Sequence, residues 1–575
     1  MSALVRYVAA IYHLGLRQAA RNLVDRAARG TRSFGRYARA SRGLEWTGRS
    51  RTSLLPHAGG ARLENGQLTA IGRTLLIGDP PHWETEAPLL WLFNLHYFAW
   101  LDALPRDDQR RLVLDWIERY PPSARRPGWM PYPLSLRLRH WATLLFADAG
   151  WAGEARARLL GSIEGQAECL ADTLEYHLRG NHLLESAITL KLLAACFRGP
   201  AVGRWERRAD ALLDAELREQ FLLDGGHVER SPMYHARLAH GLLDLMNVLP
   251  ETDETRLRIG QRLPGLLRFL AAMRHPDGEI ALFGDAAFGI VPEPGAILEY
   301  AERLGLDAPR FASGSFPETG YHVWRGGRNA LIVDAGPIGP DYLPGHGHGD
   351  LFSFELSLDG RRVVLDGGTS TYEAGEERKW VRSTRAHNTV EIAGEDQAEF
   401  FADFRVGRRG RPHDVFARVS ADGLQVSGWH DGYRRLAGRP IHHRELELVA
   451  PTTLLVWDTI GASLPQAATS RVRLPPQARV RLEPKGAAAI EIEGLTLSLG
   501  SFGGALGIED GHYAPRFGER VACPVLALRK GEGPEFGYVL ARGALPVRIE
   551  STGAEVDGRA LPRRRRVPAR PTGPA

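Results

Sequence analysis

Two histidines and one aspartate stand among three glycines in the segment GHGHGD, residues 345–350. Glycine allows another group to approach the backbone closely, so this composition is not typical of a packed core. His346 and His348 share one face if the segment is extended. Because imidazoles serve as acid–base groups or as metal ligands, the segment predicts a site of chemistry.

Two later residues extend this histidine pair into a possible metal site. Asp366 ends the predicted strand RRVVLD, and His387 stands just before another predicted strand. Together with His348 they supply two imidazoles and one carboxylate, a donor set that zinc accepts. Widely spaced ligands make a weak motif, and separate structural roles for the three residues are the alternative.

A tyrosine follows a strong helix start. Ser231 and Pro232 fit the N-cap and first helical positions, which places Tyr234 in the first turn. The positive end of the helix, with Arg230 and His235 nearby, is expected to favour the ionised phenol, whose reference pKa is about 10. Tyr234 is therefore a candidate acid or base. The alternative is a partly buried tyrosine that packs against the next helix.

A third cluster, RGNHLLE, covers residues 179–185. Asn181 stands directly before a predicted helix, and its simplest role is that of an N-cap. Asn181 and His182 could also hold a substrate carboxylate, because the helix dipole favours an anion at this end. The residues alone leave both roles open.

The spacing of apolar residues predicts the elements that carry these clusters. Residues 86–315 show three- and four-residue spacing with short breaks, which indicates antiparallel helix hairpins that can close into a toroid. Residues 316–557 show two-residue spacing, with a hairpin turn at Asp359–Gly360, and predict an antiparallel β-sandwich. Residues 1–85 are interpreted as an arginine-rich helical lead and residues 558–575 as a basic, disordered tail. The fold class is multidomain α + β.

Composition narrows the classes of function. The 575 residues carry a formal net charge of +5, and the three cysteines form no CxxC pair, so neither a disulfide framework nor a thiolate zinc site is predicted. HExxH, GxSxG and phosphate-loop motifs are absent from the sequence. Nucleic-acid binding would rest on charge alone and is not predicted. No apolar run reaches the roughly 20 residues of a transmembrane helix. Residues 1–16 are expected to form an amphipathic helix rather than a clear signal peptide.

The clusters, in their order along the chain, resemble those of the heparinase II/III family. The matching segments are RGNHLLE, DGGHVERSPMYH, GHGHGDLFSFEL with VVLDGGT, and RSTRAHNTVEI. The resemblance implies an incomplete (α/α) toroid followed by an antiparallel β-sandwich. This agrees with the change of period along the chain.

The resemblance also implies roles for single residues. Asn181 matches the position that neutralises a uronate carboxylate, and Tyr234 and His346 match the catalytic tyrosine and histidine. The implied zinc ligands, of a structural site, are His348, Asp366 and His387. The further candidates for substrate binding are His182, Glu185, Arg230, His235 and Arg385.

The implied activity is β-elimination on an anionic, uronic-acid-containing polysaccharide, which leaves a 4,5-unsaturated uronate. Whether Tyr234 or His346 acts as the base is left open, as are the polysaccharide and the oligomeric state. The first alternative is a catalytically idle polysaccharide-binding or assembly protein of exopolysaccharide biosynthesis on the same fold. The second is a zinc hydrolase. The resemblance implies a periplasmic location, but residues 1–16 show no clear signal peptide, so the cytoplasm is left open as well.

Overall fold

The computed structural model describes residues 33–38, 43–56, 60–147, 150–449 and 451–563. Residues 1–32, 39–42 and 57–59 of the predicted arginine-rich helical lead and residues 564–575 of the predicted tail lie outside this described part. The described end of the lead differs from the helical prediction, because Arg62–Glu64, Gln67–Ala70 and Arg73–Leu76 form a three-stranded antiparallel sheet. Each of these strands is joined to the next by a short turn.

Helices dominate from residue 89 to residue 303. They are α1 (Leu89–Tyr97), α2 (Arg106–Arg119), α3 (Pro131–Ala147), α4 (Gly153–Asp172), α5 (Gly180–Cys196), α6 (Val202–Gln220), α7 (Pro232–Val248), α8 (Glu254–Ala272) and α9 (Pro294–Arg303). Helix α5 packs against α3, α6 and α7, and the successive helices form a partial toroid. Among the described residues, no helix combines the length and the apolar character needed to cross a membrane.

Helix α6 shows why these segments are helical. Its buried residues include Trp205, Ala209, Leu212 and Leu217, which recur at three- to five-residue spacing, while its arginines and acids occupy the other positions. Helices α5 and α7 differ, because nearly every residue along them is buried. They therefore run through the interior of the helical domain rather than over its surface.

The chain changes to β-structure at residue 314. A five-stranded sheet has the spatial order Arg361–Val364, Phe354–Leu358, Asn329–Asp334, Tyr321–Gly326 and Gly314–Phe316. An eight-stranded sheet has the order Pro412–Ser420, Gly423–His430, Ile441–Val449, Thr453–Gly461, Glu535–Arg542, Leu495–Phe502, Ala487–Ile492 and Arg479–Glu483. A four-stranded sheet has the order Val390–Ile392, Ala468–Arg473, Val521–Lys530 and Gly504–Tyr513. Their paired strands are antiparallel and enclose one apolar core.

Smaller elements complete the described part. Two-stranded sheets join Glu45–Trp46 to Phe197–Arg198 and Ala398–Phe401 to Arg405–Arg409, and a short helix, α10, spans Glu376–Arg382. Single 3₁₀ turns lie at Phe34–Ala38, Ala99–Ala103, Pro127–Trp129, Pro344–His346, Thr384–Ala386 and Pro484–Gly486.

The start of the predicted disordered tail is ordered, so that part of the prediction is wrong. Arg559–Pro562 pairs with Gly553–Val556, which in turn pairs with Val547–Glu550. The buried Arg563 side chain bonds Glu445 at 2.6 Å and Glu535 at 3.1 Å. Paired backbone groups and a doubly neutralised arginine hold this segment against the eight-stranded sheet, despite its basic composition.

Candidate active site

A cleft of about 720 Å³ lies where the helical domain meets the sandwich. Its walls come from helices α1, α3, α5 and α7 on one side and from the segments 341–346, 372–373 and 403–409 of the sandwich domain on the other. Asn181, His182, Tyr234 and His346 all line it. The fold thus brings together, in one cleft, candidates that lie up to 165 positions apart in the sequence.

Asn181 lies in the first turn of α5, where it contacts an acid that the sequence analysis did not single out. Its backbone N–H donates to Glu229 Oε1 at 2.7 Å, and its side-chain Nδ2 donates to Glu229 Oε2 at 2.8 Å. Gly180 has φ +54°, and a Cβ there would collide with Glu229 and Leu343. The N-cap position belongs to Arg179, so the simple capping role does not describe Asn181.

Tyr234 stands in the first turn of α7, as the sequence predicts. Ser231 caps this helix and accepts from the Tyr234 backbone N–H. The phenol oxygen lies 2.9 Å from that of Tyr372, a residue of the sandwich domain. Burial raises the pKa of Tyr234 well above its ordinary value. The expectation of a favoured phenolate is therefore wrong in direction, because loss of solvent outweighs any help from the helix end.

His346 contacts Tyr234 from the sandwich side, with ring centroids 4.3 Å apart. Its Nδ1 lies 2.7 Å from Asp285 Oδ2, and its Nε2 lies 3.7 Å from Glu229 Oε2. Arg378 of α10 donates to both oxygens of Asp285, with Nη2 at 2.9 Å. Burial raises the pKa of Asp285, but Arg378 and the two histidines outweigh it and hold that pKa well below the ordinary range.

His348 faces away from the cleft into a fully buried cluster. Its Nε2 lies 2.9 Å from Asp285 Oδ1, and its Nδ1 has no hydrogen-bond partner among the described residues. The Nε2 of His387 is likewise without a partner in the described part. One donor atom each from His348, Asp350 and His387 lie within 4.8 Å of one another. Two such nitrogens beside a buried carboxylate fit a metal cation.

Asp366, predicted as a zinc ligand, lies beside the cluster of His348, Asp350 and His387. Its Oδ1 lies 2.5 Å from His387 Nδ1, and its Oδ2 accepts from the Ser353 hydroxyl at 2.6 Å. The geometric cluster contains Asp350 instead. Asp366 is therefore placed to orient the His387 ring from behind, as carboxylates commonly do for metal-binding histidines. Spacing could not distinguish these acids, because a strand end and a glycine loop converge here only in three dimensions.

Glu185 is not in the cleft, contrary to the prediction. It lies four residues beyond Asn181, where α5 has already entered the core, and its side chain is fully buried. It forms an ion pair with Arg139, which also bonds Asp244 at 2.7 Å. A carboxylate neutralised in this way serves the packing of the helices.

Three other substrate-binding candidates also lie outside the cleft lining. Arg230 donates to the backbone carbonyls of Thr319 and Glu318, so it links the two domains. His235 is buried and bonds the carbonyl of Leu266 at 2.9 Å. Arg385 is exposed away from the cleft. His182 does line the cleft, where it stacks on Tyr132 with ring centroids 4.3 Å apart.

The sequence analysis missed several residues of this site. Glu229 lies inside the quoted segment DGGHVERSPMYH, between the helix-start signal and a histidine, and its acidic character was an available signal. Tyr372 follows Asp366 by six residues. Asp285 and Arg378 belong to no recognisable pattern, and only the fold shows that they meet beneath His346.

Comparison with known proteins agrees with this architecture. Residues 110–288 match the family described as "Heparinase II/III N-terminus", and residues 308–535 match "Heparinase II/III-like, C-terminal". Among solved structures, "Crystal Structure of Heparinase III" superimposes with a TM-score of 0.66 at 16% identity, covering 84% of each chain. The fold is therefore an incomplete (α/α) toroid followed by an antiparallel β-sandwich.

Curated relatives fall into two kinds. "FtsZ-localized protein C" of Caulobacter vibrioides is 30% identical over 470 residues, which is 76% of this chain and 77% of the relative. "Heparin-sulfate lyase" of Pedobacter heparinus is 24% identical over 348 residues, 52% of this chain and 51% of the relative. The chain belongs to the heparinase II/III-like family.

Proposed function

We propose that this protein is a polysaccharide lyase that cleaves a uronic-acid-containing polysaccharide by β-elimination. The observation that carries the proposal is the contact of Tyr234 and His346 across the domain boundary, with Asn181 in the same cleft. Elimination needs a base for the C5 proton, an acid for the leaving O4 and a polar group at the carboxylate. The three side chains supply these functions.

The surroundings of Tyr234 and His346 indicate which of the two is the base and which is the acid. If Nδ1 of His346 carries the proton that it shares with Asp285, the lone pair of Nε2 is left for the cleft. The buried Tyr234 holds its proton, since its pKa is raised. We therefore assign His346 as the base that removes the C5 proton and Tyr234 as the acid that protonates O4. Tyr372, 2.9 Å from the Tyr234 oxygen, is placed to stabilise the phenolate that results.

The proposal includes a structural zinc ion held by His348, Asp350 and His387, with Asp366 orienting His387. Such an ion would compensate the buried carboxylates of this cluster, where burial and the nearby Asp366 raise the pKa of Asp350. The role of the zinc ion would be structural, because the ion would fix the loop that carries His346.

The direct test is the ultraviolet absorbance of the purified protein mixed with a panel of uronate polysaccharides. Heparan sulfate, unsulfated glucuronate–N-acetylglucosamine polymer, alginate and an acidic exopolysaccharide form a suitable panel. A rise in absorbance, lost in Tyr234→Phe, is the expected result, because only elimination creates a conjugated 4,5-unsaturated uronate. A reducing end that forms without this absorbance would indicate hydrolysis and contradict the proposal.

A second candidate function is a polysaccharide-binding or assembly protein without turnover. It is favoured by the relative named "FtsZ-localized protein C", whose name describes a location rather than a reaction. This candidate predicts saturable binding of a polymer from the panel with no absorbance change. Binding would be the whole function of such a protein, and this candidate predicts that Tyr234→Phe leaves the binding unaltered.

A further inference from the structure

The pair formed by Asn181 and Glu229 leaves the proposed reaction with an unsolved charge problem. Glu229 accepts two hydrogen bonds from Asn181 and is fully buried. Burial raises the pKa of Glu229, but His346, His227 and the Asn181 bonds outweigh it and lower that pKa overall. Asn181 therefore has a carboxylate behind it, and the pair as a whole is anionic.

An anionic pair is poorly suited to neutralise a second carboxylate. When the C5 proton leaves, negative charge spreads onto the uronate carboxylate, and the site must supply positive charge there. The amide of Asn181 can offer its second N–H, but an amide contributes no net charge. A cation close to Tyr234 would supply that charge.

Four arginines belong to the described cleft lining: Arg179, Arg237, Arg405 and Arg409. Arg179 is ion-paired with Glu219 and stacks on Tyr342, so its charge is already compensated. Arg405 and Arg409 come from a sandwich strand; Arg405 is exposed, and Arg409 donates to the carbonyls of Asp341 and Val406.

Arg237 differs from Arg179, Arg405 and Arg409 in its position beside Tyr234. It follows Tyr234 by three residues on α7, so both side chains leave the same face of the helix. Its Nη2 donates to the carbonyl of Ile290 at 3.0 Å, and within the described ranges no carboxylate forms an ion pair with it. The side chain is half-buried and lies near the phenols of Tyr97 and Tyr132 and near the carboxylate of Glu185, which is already paired with Arg139. A guanidinium with unused N–H groups can bind a carboxylate through two parallel bonds.

We infer that Arg237 binds the carboxylate of the uronate at the cleavage position and supplies the positive charge that the Asn181–Glu229 pair lacks. The inference rests on the proposed function for the identity of the ligand. It makes Arg237 the residue that selects a uronate over a neutral sugar. Asn181 then orients the carboxylate, while Arg237 attracts it.

The test measures how strongly binding depends on the substrate carboxylate. Its probes are a tetrasaccharide of alternating glucuronate and N-acetylglucosamine, and the same molecule with its carboxylates reduced to alcohols. Calorimetry in the Tyr234→Phe background, which prevents turnover, gives the ratio of the two affinities. Arg237→Met is expected to lower the preference for the native tetrasaccharide by about ten- to a hundredfold, the usual strength of a charged hydrogen bond. Arg179→Met, which removes a compensated cation of the same cleft, is the matched control and should keep the preference.

Arg237→Lys guards against a purely structural explanation. It retains the charge and should recover part of the preference, whereas a packing defect would weaken both tetrasaccharides equally. If Arg237→Met keeps the preference of its parent, or if the parent shows no preference or no binding, the inference is overturned. A carboxylate preference that depends on Arg237, without ultraviolet product from the wild type, would contradict the lyase proposal alone.

Discussion

His346 and His348 are two residues apart, yet they belong to opposite kinds of environment. The His346 side chain is 12% exposed and faces the cleft, beside Tyr234. The His348 side chain is 0% exposed and faces Asp350 and His387. Both imidazoles bond the same carboxylate, Asp285, through different oxygens.

Under the proposed function, this one loop carries both a reactive histidine and a histidine that holds the loop in place. Asp285 accepts hydrogen bonds from Arg378 and contacts both histidines. The cleft side of the loop, with His346, and its buried side, with His348, are therefore anchored by the same carboxylate. A ring that must transfer protons needs solvent or substrate on one edge and a fixed partner on the other. A ring that holds a metal needs a dry surrounding and an orienting carboxylate, and in the proposed zinc site Asp366 would be that carboxylate for His387.

The largest expected difference between the two sides is in turnover. His346→Ala should lower kcat about 10²- to 10⁴-fold, the usual contribution of a general base, with little change in the melting temperature. Steady-state ultraviolet assays together with thermal melts measure both effects. A fully active His346→Ala variant would remove the distinction between a reactive and a holding histidine.

Substitution of Asp285, the carboxylate that both histidines contact, should destabilise both the cleft side and the buried side of the loop. Asp285→Asn leaves Arg378 buried without its counter-charge, which is expected to destabilise the fold by about 3–5 kcal/mol. Urea unfolding measures this change in the free energy of unfolding. The conservative Glu377→Gln variant, on the same helix as Arg378 but at a part-exposed acid, serves as its control. Equal stabilities of the two variants would show that Asp285 is no anchor.

The proposed zinc site on the buried side can be tested by measuring the zinc content of variants. His387→Ala and Asp350→Asn should each lose most of the bound zinc and melt at a lower temperature, since a ligand is removed. Asp366→Asn should weaken zinc about 10- to 100-fold while retaining stoichiometric binding at saturation, as expected for an orienting group. Elemental analysis and competition with a chelator separate these cases. Loss of zinc in Asp366→Asn but not in Asp350→Asn would restore the ligand set predicted from the sequence.

The smallest effect concerns a residue that belongs to neither side. Arg385→Met should change kcat/KM by less than about twofold, because Arg385 is exposed outside the cleft. The same kinetic assay checks this expectation. A larger loss would place the substrate path beyond the described cleft.

The fold and the three central residues could be predicted, since each rested on a local signal. The change from helical to alternating spacing located the domain change near residue 315, and the Ser231–Pro232 start placed Tyr234 in the first turn. The resemblance then joined Asn181, Tyr234 and His346 into one site.

The remaining assignments needed information that spacing does not contain. Helices α5 and α7 are buried almost all round, so their patterns could not tell that Glu185 and His235 face the core. Asp285 meets the two histidines from 61 and 63 positions away. That Asp350, and not Asp366, lies in the cluster with His348 and His387 likewise depends on how two chain segments converge.

The hydroxyl contact between Tyr234 and Tyr372 joins the two domains within the cleft. A ligand bound there would contact both the helical domain and the sandwich domain and would hold them together. At a hundredfold excess over its Kd, such a ligand stabilises the bound state by about 2.7 kcal/mol. That free energy is lost when either domain unfolds. An oligosaccharide that binds the cleft should therefore make the toroid and the sandwich melt in one cooperative transition.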